Sequence, residues 1–509
     1  MDGLSRDIPL SLIYAASHSV KKGHAVRLLD LRNIGGDWRD NVLKELRQGY
    51  GLIGLSVMTG LPITKCADIS KFVKEHTDAP IVWGGPHPTI LPEQTLREPY
   101  IDYVVRDWGS VALCELADYL ESGAPARESI LGLGYKENGE CRLSPPQTCF
   151  EMLNWQDLPY DLVDFSHAGY SRLQGSIKTF PIFTAMGCPY TCAFCMSPAV
   201  YKKISGKKWV AYDLDYLFGH IDHLAAHYDF DALQVLDDDS FVDLERMRAF
   251  LKELIRRGYN TRFKIEFRGG RVNELDRMDD EMLSLLCEAG TEMIFIGVES
   301  GSDRSLKAMK KGISVEQILR VNRKLARFPV LKPHYNLMFG IPGETLEDVL
   351  KTKELILQLI AEHPQCFIGL PGIWKPVPGS VLADIAASEY NLALPDALEA
   401  WAGVDSFDAE PLRYPWFTRG MAEMINLIAL ASLLLDGKIR HFSPAFGPLL
   451  SFLLRLTQKL YRPVLLWRLK HNYTAFLLEF RVWNFSFKRL GSILRLANFF
   501  KKEQKPITQ

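Results

Sequence analysis

The chain has 509 residues, 47% hydrophobic and 24% charged, with a formal net charge of −1, an ordinary globular composition long enough for two to four domains. Nine cysteines are sparse and odd in number, which excludes a disulfide framework and fits a reduced, cytoplasmic setting. No basic-then-apolar signal segment opens the sequence, and no apolar run reaches the ~18–20 residues needed to span a bilayer.

Residues 1–125 alternate helical and strand patterns. Pro9 to Lys22 reads as a helix, and Ala25 to Asp30, Leu52 to Met58 and Pro80 to Trp83 as strands. Ile101 to Val105 is a fifth element, and Val111 to Leu120 a helix. Short apolar strands between helices predict a parallel, doubly wound, Rossmann-like sheet, which takes ligands beyond the carboxyl ends of its strands. Ser56-Val57-Met58-Thr59-Gly60 and Gly84-Gly85-Pro86-His87-Pro88-Thr89 fall at two such ends. Their plainest role is to permit tight turns. Ser56-Val57-Met58, with Gly84-Gly85 following after 25 residues, also resembles the cobalamin-binding domain that precedes many radical S-adenosylmethionine (SAM) domains, with Met58 in place of a leucine. The resemblance implies cobalamin contacts from Ser56, Met58, Thr59, Gly60, Gly84, Gly85 and His87. It also implies an earlier strand and an Asp-x-His-x-x-Gly loop. The sequence opens instead at the expected first helix, so the sheet is expected to lack its first strand.

Residues 126–178 read as a linker with short strands, bounded by Pro145-Pro146 and Pro159. Residues 179–373 read as six strand–helix units. Phe180–Ala185, Ala232–Leu236, Phe263–Phe267, Met293–Val298, Lys332–Phe339 and Phe367–Leu370 are the strands. Helical stretches lie near 213–227, 243–258, 279–289, 314–328 and 345–362. That pattern predicts a (β/α)6 partial TIM barrel with its chemistry at the C-terminal strand ends.

Cys188, Cys192 and Cys195 follow the first of these strands, spaced Cys-x3-Cys-x2-Cys with Phe194 before the last. Three thiolates this close suit three corners of a 4Fe–4S cluster and leave one iron open to a further ligand. Structural zinc takes four ligands, often as two separated pairs, and no second pair is present. Cys66, Cys114, Cys141, Cys149, Cys287 and Cys366 are scattered and read as packing residues.

The triplet, Phe194 and the polar strand ends resemble the radical SAM superfamily, in its cobalamin-binding branch. SAM is then the implied ligand of the open iron. Asp237-Asp238-Asp239 follows the second strand, where Asp238 and Asp239 would accept from the SAM ammonium; one of the three could instead cap a helix. Arg268 or Arg271 would pair with its carboxylate, a surface salt bridge being the plainer alternative. Glu299 and Ser300, in Gly297-Val-Glu-Ser-Gly301, suit the ribose or the substrate. Gly340, Ile341 and Pro342 resemble the loop that meets adenine through backbone groups, and Phe194 would cover the adenine edge. One-electron reduction of the cluster by a reductant such as a flavodoxin or ferredoxin would cleave SAM to a 5′-deoxyadenosyl radical. With cobalamin facing the barrel mouth, the implied reaction is methyl transfer to an unactivated carbon. A cobalamin-independent radical enzyme, a cyclisation or rearrangement catalyst, and a non-catalytic iron–sulfur protein are the alternatives.

After Trp374-Lys-Pro-Val-Pro-Gly-Ser380, residues 381–436 read as helical, a lid for the substrate. The net charge hides an asymmetry: residues 437–509 hold fourteen Lys and Arg against Glu479 and Glu503. Phe446 to Leu456 and Val464 to Arg489 mix Leu, Phe and Trp with these cations. That composition predicts peripheral attachment to a membrane surface and a lipid-like substrate. Nucleic-acid binding is disfavoured because the apolar content is too high for a phosphate-facing surface. A helical cap with a basic outer face is the plain alternative.

Overall fold

The computed structural model describes residues 5–6, 8–32, 34, 36–165, 170–171, 177–404, 414–439 and 448–475. The smaller of its two main sheets runs Ile53–Ser56, Ile81–Gly84 and Tyr103–Val105 in parallel, in that order. Ile81, Val82 and Trp83 are buried on both faces, as a strand between two neighbours should be. Helices Leu10–Lys21, Pro62–Lys74 and Ser110–Ser122 accompany the sheet. The last stops where Gly123 turns left-handed, with φ +79°.

The strand expected at Ala25–Asp30 does not form. This segment runs without regular structure along a cavity of about 290 Å³ lined partly by Arg27, Leu28, Leu29 and Asp30. A strand persists only through ladder hydrogen bonds to a neighbour. Among the described residues none lies outside Ile53–Ser56, so the sheet begins there, without its first strand. Residues 126–178 contribute more than a link: Leu133–Glu137 and Glu140–Leu143 form an antiparallel hairpin that extends the same sheet beyond Tyr103–Val105.

The larger sheet places six strands in parallel: Ile177–Ile182, Ala232–Val235, Lys264–Arg271, Thr291–Glu299, Lys332–Phe339 and Phe367–Ile368. Helices Leu214–His227, Leu244–Arg256, Asp280–Glu288, Val315–Ala326 and Leu346–Glu362 alternate with them, as expected of the partial barrel. Each begins at a side-chain cap: Asp213, Asp243, Asp279, Ser314 and Thr345 accept from backbone N–H groups of the first turn. The caps start the helices late and leave the loops at the C-terminal strand ends available for chemistry.

The region expected as a helical lid divides its allegiance. Leu398, Trp401 and Val404 are buried in the core of the N-terminal sheet. Glu399 pairs with Lys71 at 2.5 Å, and Trp401 donates its indole N–H to Gln94 at 2.8 Å. Helix Arg419–Leu434 packs instead on the last barrel helix, and helix Pro448–Lys470 packs on it in turn. The remaining tail motifs, including Phe476 to Phe485, lie outside the described residues.

Candidate active site at the barrel mouth

The cluster loop is held from both sides. Before it, Ala185–Gly187 pairs antiparallel with Trp209–Ala211. Gly187 has φ +85°, and a Cβ there would lie 2.3 Å from the Lys208 carbonyl and 2.5 Å from the Phe150 ring. Only glycine fits. Asp237 anchors the same root: it accepts from Thr184 N at 2.7 Å, Ala185 N at 3.1 Å and the Thr184 hydroxyl at 2.5 Å. It caps no helix; that task falls to Asp243.

Cys188, Cys192 and Cys195 are free thiols. Burial pushes the Cys188 thiol up to about 12, and raises Cys195 as well. In so dry a setting the thiolates need compensating positive charge or a bound metal. Arg271, at the end of the third strand, supplies part of it. Its Nη1 donates to Cys192 Sγ at 3.1 Å, its Nη2 donates to the Lys311 carbonyl at 2.6 Å, and its guanidinium stacks 3.7 Å from the Tyr190 ring centroid. Arg268, three residues earlier on the same strand, lies 4.0 Å over the Phe295 ring and 3.7 Å from Glu266.

The two following aspartates have different surroundings. Asp238 accepts from the Tyr201 hydroxyl at 2.5 Å. Asp239 is enclosed, and its Oδ2 accepts no hydrogen bond among the described residues. Burial first, then the Glu274 carboxylate, raise its pKa. A cationic ligand group arriving there would meet an acceptor with spare capacity, which fits the SAM ammonium.

Glu299 has φ +62° and accepts from Lys311 Nζ at 2.8 Å. Lys311 is buried and stands 5.6 Å from the centroid of Phe194. Ser300 is committed to the fold, its hydroxyl 3.1 Å from that of Thr352. In the Gly340-Ile341-Pro342 loop, Gly340 donates its N–H to Glu344 at 2.5 Å, and its carbonyl accepts from the Trp416 indole at 3.1 Å. Burial lifts the Glu344 carboxyl to about 8.

Tyr201, Glu274, Lys311 and Trp416 belong to this constellation, and sequence reasoning missed all four. Lys311 sits in Lys310-Lys311-Gly312, which looks like a solvated turn; only the fold buries it.

At the N-terminal sheet, Ser56, Gly84 and Val105 are in register at adjacent strand ends. Gly85 has φ +102°, and a Cβ there would lie 2.9 Å from the Val57 carbonyl. Ser56 and Met58 are exposed, and Gly60 is buried. Thr59 Oγ1 lies 3.0 Å from His87 Nδ1, and His87 is buried against Trp401. The short helix Pro86–Ile90, which this loop opens, packs on Ser197–Tyr201, which begins two residues after Cys195. Trp108 stacks on Tyr201 with centroids 6.2 Å apart, and Lys203 pairs with the buried Asp107. The two sequence motifs, about 100 residues apart, are neighbours in space.

The donor sets fit the implied groups. Three soft sulfurs beside a guanidinium suit an iron–sulfur cluster, an unsatisfied buried carboxylate oxygen suits a SAM ammonium, and a glycine cradle at open strand ends suits a corrin. The model of the radical SAM superfamily matches residues 182–356, and that of the B12 binding domain matches residues 7–117. The chain belongs to the radical SAM superfamily, in the branch with a B12 binding domain. This radical SAM enzyme uses a 4Fe–4S cluster, SAM and cobalamin. It is 28% identical over 392 residues to an uncharacterized methyltransferase of Pyrococcus horikoshii, covering 76% of this chain and 80% of that one. Its fold resembles the radical SAM methyltransferase TsrM of Kitasatospora setae, solved with cobalamin and a 4Fe–4S cluster, at TM-score 0.61 and 20% identity over 75% of this chain and 72% of that one. It also resembles the cobalamin-dependent radical enzyme OxsB, at TM-score 0.66 and 18% identity over 96% of this chain and 73% of that one.

Proposed function

We propose that this radical SAM enzyme transfers a methyl group to a carbon of a hydrophobic, lipid-like small molecule. The observation that carries the proposal is the packing of Pro86–Ile90 against Ser197–Tyr201, which puts the strand ends of the B12 domain beside the cluster loop. Methyl transfer requires the methyl donor and the radical source to face one substrate. Bound together, the cluster and SAM supply the radical and cobalamin the methyl group. The chain's own residues do the positioning. Arg271 would hold the Cys192 corner of the cluster, Asp238 and Asp239 the SAM ammonium, and Glu299 with Lys311 the ribose side. Phe194 and Gly340–Pro342 would border the adenine. On the other domain, Ser56, Met58 and Gly84-Gly85 would meet the corrin. Thr59, Gly60 and His87 would shape that loop from behind.

A reductant such as a flavodoxin or ferredoxin would deliver the electron. The lipid-like substrate class and peripheral membrane contact through residues 437–509 rest on the basic, aromatic-rich composition of that region. No helix among the described residues is long and apolar enough to cross a membrane.

The test is anaerobic reconstitution of the full chain and of Cys192→Ala with SAM, dithionite and hydroxocobalamin. The intact chain should bind corrin and release 5′-deoxyadenosine, and the variant should lose the second property while keeping the first. Unchanged 5′-deoxyadenosine from the variant would overturn the cluster assignment. Failure of the intact chain to take up corrin would leave a radical enzyme whose N-terminal domain serves the substrate.

A further inference from the structure

We infer that the helix Pro448–Lys470 is a docking blade for an anionic lipid surface, lying flat on it through an exposed apolar stripe. This deepens the membrane contact proposed above and rests on it.

The helix has 23 residues, about 35 Å at the usual rise. One face is fixed to the protein. Leu465 and Leu469 are buried, Lys353 Nζ donates to the Leu469 carbonyl at 3.0 Å, and Gln458 donates to the carbonyls of Leu434 and Asp436 at 3.0 and 2.9 Å. The opposite face should be polar if it met only water. It is not. Leu449, Phe452, Leu453, Leu460, Val464 and Trp467 are exposed by 73%, 61%, 47%, 67%, 44% and 52%. At 3.6 residues per turn all six fall within an arc of about 120° of the helix, one continuous stripe. Six large exposed apolar side chains in one line are unlike scattered surface leucines and mark an interaction surface.

Charge chooses the occupant. The helix has no Asp or Glu. Arg455, Lys459 and Arg462 are exposed along one flank of the stripe, at spacings of four and three residues. An apolar stripe bordered by cations matches an interface where acyl chains lie beneath anionic headgroups. The polar straps on the inner face already tie the helix to the protein, so docking does not require the helix to form.

The test uses the full chain in flotation with vesicles of phosphatidylcholine alone, or of equal parts phosphatidylcholine and phosphatidylglycerol. Three variants accompany it: Leu449→Gln/Phe452→Gln/Leu460→Gln/Trp467→Gln, Lys459→Gln/Arg462→Gln, and a chain ending at residue 436. Binding is expected on the anionic vesicles only, lowered roughly tenfold or more by the quadruple change and on the order of tenfold by the double change. All four apolar sites are exposed, so unaltered iron content and melting temperature will show that the fold survives. If the shortened chain floats as well as the full one, the membrane contact itself is wrong. If shortening abolishes flotation but the quadruple variant floats normally, the contact stands and this helix is not its instrument. Equal binding to neutral vesicles, or a size-exclusion mass that drops from dimer to monomer in the quadruple variant, would overturn the anionic-surface assignment in favour of another occupant.

Discussion

Arg271 directs one N–H at the sulfur of Cys192, 3.1 Å away, across 79 residues of sequence. A buried guanidinium beside a cluster ligand stabilises the more reduced, more negative state. Replacing it with methionine keeps the bulk and removes the charge. A charge-assisted hydrogen bond of this kind contributes about 1.5–3 kcal/mol, so the cluster midpoint should fall by roughly 65–130 mV, taking about 59 mV as a tenfold change for one electron. Redox titration followed by electron paramagnetic resonance reads it. An unmoved midpoint would deny Arg271 any electrostatic role.

Lys311 and Glu299 form a buried ion pair at 2.8 Å. Breaking one side leaves the other charge stranded, a loss of about 3–5 kcal/mol. Lys311→Met should therefore lower the stability in urea by that amount, and Lys311→Met/Glu299→Gln should recover part of it. The single and double variants should both weaken SAM binding, measured by equilibrium dialysis under anaerobic conditions. Equal stability of the single variant and the parent would show that the pair is not coupled.

Gly187→Ala forces a methyl group into space already held by the Lys208 carbonyl, 2.3 Å away, and the Phe150 ring, 2.5 Å away. The carbonyl precedes the ribbon strand Trp209–Ala211, and the ring packs against Trp108 and Tyr201, so the strain falls on the backbone that leads into Cys188. Iron per chain should fall severalfold after reconstitution while far-ultraviolet circular dichroism stays native. Full iron loading in this variant would mean the loop tolerates a different backbone course.

Glu344 carries a pH signature. Its pKa rises from the usual 4.5 to about 8 because burial penalises the carboxylate. Between these values the folded chain keeps a proton that the unfolded chain has lost, so stability declines as pH rises through that window. Glu344→Gln mimics the protonated form, and its amide oxygen can still accept from Gly340 N–H. The variant should lose this part of the decline between pH 4.5 and 8, seen in melting temperatures across the range. An identical profile in parent and variant would place the ionisation elsewhere.

The barrel was legible because strands such as Met293–Val298 are apolar runs and most of the helices between them open at Asp, Ser or Thr caps, and local signals suffice for that. The cysteine loop was legible for the same reason: its ligands are adjacent in sequence. Ala25–Asp30 misled because its apolar residues satisfy the pattern of a strand, whereas a strand depends on a neighbour the pattern cannot see. Lys311, Tyr201 and Trp416 were invisible for a related cause. Their partners, Glu299, Asp238 and Gly340, lie 12 to 76 residues away. Nothing local distinguishes a lysine aimed at a buried carboxylate from one aimed at solvent.

Leu398, Trp401 and Val404 come from beyond the barrel yet complete the core of the first sheet. The halves are thus not beads on a string. A fragment comprising only the B12 domain would carry a hole where three side chains belong, and would be expected to aggregate. In the whole chain, this shared core is expected to make the two halves melt together. A corrin that binds the folded first half should therefore raise the melting temperature of the barrel as well, since mass action on either part is felt by both.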